Sequence, residues 1–202
     1  MHVLLMTSWL CLPLAPLNPI AEDTLAPLNL HFTAGVNGPN GIVSVGPIMS
    51  GNLELLIIHP FMIRATTDIA YGRTRSHLFP QGHLWSMTVG GDAIYYRGTD
   101  RLTGYVGAGG FLSTHLFYPF RETADSLSVS EGVTDVDLLQ AWGYRLILGL
   151  RYHRSYSLEL AVSELTPDFR KTVSRGSNSE SRSYQTTHTG SFRITLGYLF
   201  RI

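Results

Sequence analysis

At 202 residues, with 15 basic and 15 acidic side chains, the chain carries no net charge, so no long-range field favours a nucleic acid as partner. Charged residues make up only 15% of it, well below the ~25% of ordinary soluble domains, which points to a surface that faces something other than water. The length allows one domain with a substantial core and argues against two.

The chain opens on an apolar run from Val3 to Leu17, interrupted by Thr7, Ser8, Pro13 and Pro16. A spanning helix needs about 20 apolar residues, so the run is too short and too broken to be one. It reads instead as the apolar region of a secretory signal over residues 1–21, with Pro19-Ile20-Ala21 as the cleavage site ahead of Glu22-Asp23. Residues 22–27 form a short lead. Cys11 lies inside the signal and is the chain's one cysteine, so a mature protein without it has no disulfide or thiolate chemistry.

From Leu28 onward apolar and polar residues alternate. Leu28, Leu30, Phe32, Ala34 and Val36 fall on one face of a first strand, Asn29, His31 and Thr33 on the other. Gly38-Pro39-Asn40-Gly41 punctuates, and the Gly- and Ser-containing segment up to Asn52 reads as a loop with room for a short strand start. Leu53–Ile58 and Ile63–Tyr71 read as strands joined by a tight turn at His59-Pro60, with Arg64, Thr66 and Asp68 on the polar side of the second. A polar, turn-rich connection from Gly72 to Gly82 follows, then strands Leu84–Tyr96 and Leu102–Phe117 flanking Gly98-Thr99-Asp100-Arg101. The glycines of Gly104-Tyr105-Val106-Gly107-Ala108-Gly109-Gly110-Phe111 lack the Gly-Lys-Ser/Thr of a phosphate loop and precede no helix signal, and they suit a narrow, curved wall.

Tyr118–Asp137 reads as an acidic, unpatterned loop. Trp142–Tyr152 is the cleanest alternation in the chain, and a short turn at Arg154-Ser155 leads into Tyr156–Val162. Thr166–Thr187 is a fourth polar segment, and the chain ends on Ser191–Ile202, where Phe192, Ile194, Leu196, Tyr198, Phe200 and Ile202 share a face and Leu199 breaks the period. An apolar strand at a chain end invites pairing with other chains unless a barrel closes on it.

Eight strands are therefore predicted, with short turns near Pro60, Thr99 and Arg154 alternating with long loops near Asn40, His77, Ser128 and Ser179. That alternation suits a transmembrane barrel, whose turns are short on one side and long on the other. The segments Asn52-Leu53-Glu54-Leu55, Gly104 to Gly109 and Gly143 to Tyr152 resemble the small OmpA-like and OmpW-like outer-membrane barrels over residues 28–202. The resemblance implies an all-β fold: an eight-stranded antiparallel up-and-down transmembrane β-barrel with short periplasmic turns and four longer extracellular loops, in the outer membrane of a Gram-negative-type bacterium. It also implies outer-membrane lipid and lipopolysaccharide as surroundings, the barrel-assembly machinery as a partner during insertion, and Tyr198 and Phe200 as insertion signal and girdle. A partner for the loops is not specified.

A soluble barrel with an apolar calyx also has eight strands. Aromatics at strand ends on the apolar face (Tyr71, Tyr95, Tyr144, Tyr152, Tyr156, Tyr198, Phe200) and the sparse charge of the other face favour the membrane. On the polar face stand Glu54, Arg64, Asp68, Asp92, Arg145, Arg151, Glu159 and Arg193. Inside a narrow lumen these acids and bases are expected to partner one another as a filling ion-pair network, because a buried charge left alone is costly. No catalytic, cofactor or metal residue is expected: the histidines lack His-x-His or His-Glu-x-x-His spacing, with His77 and His83 the weak exception. His153, Arg154, Ser155 and Glu159 contain the residue types of a lipid hydrolase, but at a short turn. The expected role is non-enzymatic, structural or interaction-bearing through the long loops, with a narrow channel for small solutes or hydrophobic ligands as the alternative and a lipid hydrolase third.

Overall fold

The structure is a computed structural model that describes residues 28–38, 43–74, 79–99, 101–175, 178–185 and 189–202. The expected signal at 1–21, the lead at 22–27, His77 and Asn40 lie outside the described residues. In chain order the elements are β1 (Leu28–Asn37), β2 (Gly46–Ile58), β3 (Phe61–Arg73), β4 (Gly82–Gly98), β5 (Leu102–Pro119), α1 (Arg121–Glu131), β6 (Val133–Leu138), β7 (Ala141–Tyr152), β8 (Tyr156–Leu165), β9 (Asp168–Arg175), β10 (Asn178–Gln185) and β11 (Thr189–Arg201).

Strands β1, β2, β3, β4, β5, β7, β8 and β11 close into one barrel, each antiparallel to its neighbours. The last strand seals it against the first, with Leu30 opposite Phe200, Phe32 opposite Tyr198 and Ala34 opposite Leu196. Closure leaves no edge, so the apolar final strand has a partner on each side.

The two-residue period sorts every wall strand. On β7, Leu146, Leu148 and Leu150 are 61%, 54% and 49% exposed, while Arg145, Ile147 and Arg151 point inward and are buried. An apolar exterior around a charged interior inverts a soluble domain and is what a bilayer requires of a spanning barrel. Two aromatic rings bound the apolar band. Phe61, Tyr95, Tyr156, Tyr198 and Phe200 crowd the short-turn end, with Phe61–Tyr95 centroids 5.4 Å apart and Tyr198–Phe200 4.7 Å apart. Tyr71 and Trp85 meet at 5.0 Å toward the long-loop end, where Trp142 is also exposed. Trp142 and Tyr152 bound the outer face of β7; their separation is about 34 Å along the strand at ~3.4 Å per residue and about 25 Å along the axis at a ~40° tilt, the height of an apolar band.

Leu199, out of step with its strand's apolar neighbours, is buried because it faces the lumen, where it closes the short-turn end. The glycines make room for large inward side chains. A Cβ on Gly149 would lie 2.0 Å from the Tyr105 ring, and one on Gly143 2.4 Å from Phe111, so two aromatic rings lie over bare backbone on the neighbouring strand.

The long segments depart from expectation. β2 starts at Gly46, well before Leu53, because its lumen-facing residues Ser50 and Asn52 are polar and buried and so carry no apolar period. Tyr118–Asp137 holds α1 and β6, and Thr166–Thr187 holds the hairpin β9–β10. Strands β10, β9 and β6 form a separate three-stranded sheet. A bulge between Val133 and Asp135 puts Val133, Val136 and Leu138 on one face despite their odd spacing. Helix α1 stops at Gly132, whose left-handed φ of 66° turns its N–H onto the Leu127 and Ser128 carbonyls. This sheet is fastened to the barrel by a second apolar core of Phe79, Leu84, Val133, Val136, Leu138 and Phe169, with Phe79 and Phe117 4.7 Å apart.

Candidate functional site

The lumen is where the sequence spends its charge. Glu54 on β2, Arg64 and Asp68 on β3, Asp92 on β4, Arg145 and Arg151 on β7, Glu159 on β8 and Arg193 on β11 all sit at inward positions, and all are buried. They form one continuous chain of alternating sign. Arg151 Nη2 donates to Glu54 Oε1 at 2.5 Å, and Arg64 Nε lies 3.2 Å from the same oxygen. Arg64 Nη1 reaches Glu159 Oε2 at 2.6 Å, and Arg193 Nη2 reaches Glu159 Oε1 at 3.0 Å. Asp68 Oδ2 then accepts from Arg193 Nη1 at 2.9 Å and from Arg145 Nη1 at 3.0 Å. Arg145 ends the chain with a two-pronged grip on Asp92, Nε to Oδ1 at 2.7 Å and Nη2 to Oδ2 at 2.8 Å.

Five of these links cross the lumen, joining β7 to β2, β3 and β4, and β3 to β8 and β11, pairs that share no ladder. Glu54–Arg64 and Glu159–Arg193 link the neighbouring strands β2–β3 and β8–β11. Every inner member of the chain has an opposite charge on both sides, which offsets the desolvation that burial imposes. Polar neighbours take up further lone pairs: Tyr105 donates to Glu159 at 3.1 Å, Thr66 to Asp92 at 3.1 Å and Thr88 to Asp68 at 2.8 Å. The Tyr105 ring also lies under two guanidiniums, Arg151 at 5.0 Å and Arg64 at 5.5 Å from its centroid. His31, fully buried, sits between Glu54, 3.3 Å from its Nδ1, and Ser157, 2.6 Å from its Nε2.

Tyr105 is expected in the lumen and stands there, whereas His31, Thr66 and Thr88, which also belong to the network, were not singled out from sequence as such. Their inward register was visible in the alternation, but neither a neutral hydroxyl nor a histidine announces a charged partner on a distant strand. Tyr198 and Phe200 stand on the outer face near the short-turn end, in edge contact with one another and with Tyr156 and Phe32.

The hydrolase residue types are not brought together. The Glu159 carboxylate is engaged by Arg64, Arg193 and Tyr105 in the lumen, whereas His153 stacks edge-on to Tyr152 at 4.2 Å in the β7–β8 turn. His83 Nδ1 faces the Tyr71 hydroxyl at 2.5 Å. Among the described residues no group of three histidine, cysteine, aspartate or glutamate side chains could hold a metal ion.

Between the ion-pair chain and the apolar core of the long-loop end lies a cavity of about 100 Å³, lined among others by Ile48, Leu84, Phe111, Ser113, His115 and Leu138. Ser86 and His115 Nδ1 share a hydrogen bond of 2.9 Å there, and Ser113 Oγ and His115 Nε2 are buried with no hydrogen-bond partner.

No protein-family model and no curated protein sequence matches the chain. Among solved structures it is similar to the outer membrane protein OprG from Pseudomonas aeruginosa, with a TM-score of 0.59 and 13% identity over 88% of this chain and 98% of that one. It is similar to outer membrane protein AlkL, solved in DMPC lipid bilayers, with a TM-score of 0.54 and 13% identity over 90% of this chain and 94% of that one. Neisserial surface protein A gives a TM-score of 0.51 and 13% identity over 88% of this chain and 98% of that one. With its apolar wall, charged lumen and closed eight-stranded order, the chain has the fold of the small outer-membrane barrels and is an integral membrane barrel of that type.

Proposed function

We propose that this protein is a closed, non-enzymatic barrel of a Gram-negative-type outer membrane that presents its long connections at the cell surface as a folded platform for interaction. The observation that carries the reading is the cross-lumen chain from Arg151 to Asp92, which ties opposite walls together through buried contacts of 2.5 to 3.2 Å. Eight strands leave an interior that side chains can fill, and here they do so with partnered charge. The third and fourth long connections are folded: β6 and β9 contribute to an apolar core shared with Leu84 of the barrel, α1 packs Leu127 against it, and β10 pairs with β9, the form expected of a surface kept for contact.

In this reading the short turns face the periplasm, lipid and lipopolysaccharide surround the apolar band, and the assembly machinery recognises the final strand through Tyr198 and Phe200. Engagement of Glu159 within the network supports the absence of hydrolase activity. Paired cysteines test the orientation. Ser181→Cys, on the exposed face of β10, is expected to react with an impermeant maleimide on intact cells, and Thr99→Cys in the β4–β5 turn only after permeabilisation. The opposite pattern overturns the platform reading.

The cavity beside Ser113 and His115 favours a second reading, in which the long-loop end holds a small amphipathic molecule. Saturable binding of such a probe by the purified barrel, lost in His115→Leu, would put that reading first.

A further inference from the structure

The short-turn end of the lumen carries a second, smaller cavity of about 30 Å³, walled by Tyr96, Thr99, Thr103, Arg151, Arg154 and Arg201 together with apolar side chains and Asn29. Its polar character is one-sided. Among the described residues that line it none is acidic, and three are arginines. Two of its inner groups are unsatisfied donors. Arg151 is 7% exposed, its Nη2 is taken by Glu54, and its Nε has no hydrogen-bond partner. Tyr96 is 3% exposed, and its hydroxyl has none either. A buried donor left unmade is costly, and these two belong to residues that line one cavity, where a single acceptor group would satisfy both.

The mouth is built toward the same end. Arg201 continues the inward register of Arg193, Thr195 and Leu199 on β11. Arg154 stands in the β7–β8 turn with φ at 59°, after His153 at 49°. Positive φ at both central residues is what a tight hairpin turn requires, and the Ser155 N–H closes it on the Tyr152 carbonyl at 3.2 Å. Arg154 and Arg201 both line the mouth, and partial burial, with the Arg201 charge after it, pushes the Arg154 guanidinium below its ordinary pKa. In the sequence of the three short turns Asp100 is the one acid, set against Arg101 and Arg154 with Arg97 and Arg201 beside them.

We propose that this mouth is an oxyanion site that takes a phosphate group from the short-turn side of the membrane, with Arg151 Nε and Tyr96 Oη as inner donors and the Arg154 and Arg201 guanidiniums as outer ones. Guanidinium forks suit oxyanions, and donors arriving from β4, β7, β11 and a turn surround a tetrahedral group better than a flat carboxylate. The cavity admits about two water-sized atoms, enough for the leading oxygens of a phosphate whose remainder stays in the open mouth. Free phosphate and the headgroup of an inner-leaflet phospholipid offer the same chemistry.

The test is calorimetric titration of inorganic phosphate into the intact barrel in a phosphate-free maltoside detergent. One saturable site is expected, weakened about tenfold or more by Arg154→Gln and by Arg201→Gln and weakened by added salt. Tyr96→Phe should lower affinity while the barrel stays heat-modifiable. Arg154→Gly separates binding from folding, because it relieves the left-handed backbone and should raise the urea midpoint while abolishing phosphate binding. Repeating the titration in nanodiscs identifies the source: affinity that falls as phosphatidylglycerol is added assigns the site to lipid headgroups, and unchanged affinity assigns it to free phosphate. Absence of saturable phosphate binding in detergent, or binding that survives both glutamine substitutions, overturns the proposal.

Discussion

Ile147 and Leu148 are adjacent on β7, yet one is 3% exposed in the lumen and the other 54% exposed on the outer wall. The two faces obey different rules. The outer wall is a set of interchangeable apolar residues whose only requirement is lipid compatibility, and aromatic rings mark its limits. The lumen is particular: Arg145 must reach Asp92 and Asp68, and Tyr105 has room only because Gly149 lacks a side chain. A spanning barrel thus keeps its sequence specificity on the side where a soluble domain keeps generic apolar packing, because lipid rewards any apolar surface whereas buried charge tolerates only the right partner.

Breaking the particular side should cost most. Arg64→Leu removes the link between Glu54 and Glu159 at a site only 1% exposed, leaving each carboxylate with one cation, Arg151 or Arg193, in place of two. A loss of about 3 to 5 kcal/mol is expected, measured by urea unfolding in lipid vesicles. A loss under ~1 kcal/mol would mean that the network is hydrated and loose. On the generic side, Leu148→Arg should cost roughly 2 to 4 kcal/mol near the bilayer midplane, while Leu148→Val should be close to neutral in the same titration.

How much of this was legible in the sequence follows from the same contrast. Alternation placed β1, β7, β8 and β11 and put the eight charged positions on one face, because a period of two needs only local information. The pairings were not legible. Arg145 meets Asp92 across 53 residues and Arg193 meets Asp68 across 125, and such contacts depend on the tilt and stagger with which the wall closes. The platform was hidden for another reason: α1 is mostly polar, and the bulge in β6 breaks the period that would have revealed a strand. The early part of β2 escaped because buried polar residues mimic a loop.

Two smaller effects sharpen the contrast. Gly149→Ala drives a methyl group to 2.0 Å from the Tyr105 ring, so a cost of about 1 to 3 kcal/mol is expected. Tyr105→Leu should absorb part of it, and a double-mutant cycle reads the coupling. Additive costs would show that ring and glycine do not need each other. The exposed Arg182–Glu180 pair on the platform, at 3.1 Å, is the opposite case. Arg182→Gln should change stability by less than about 1 kcal/mol, and its effect should fade as salt is added to the unfolding buffer.

The central claim is that partnered side chains close the lumen, and single-channel recording in planar bilayers tests it most directly. The unmodified barrel should show at most small, rare openings, and Glu159→Gln, which weakens the crossing to Arg64 and the neighbouring-strand link to Arg193, should make them more frequent. Persistent large conductance steps in the unmodified protein, or fewer openings on neutralising Glu159, would contradict the account.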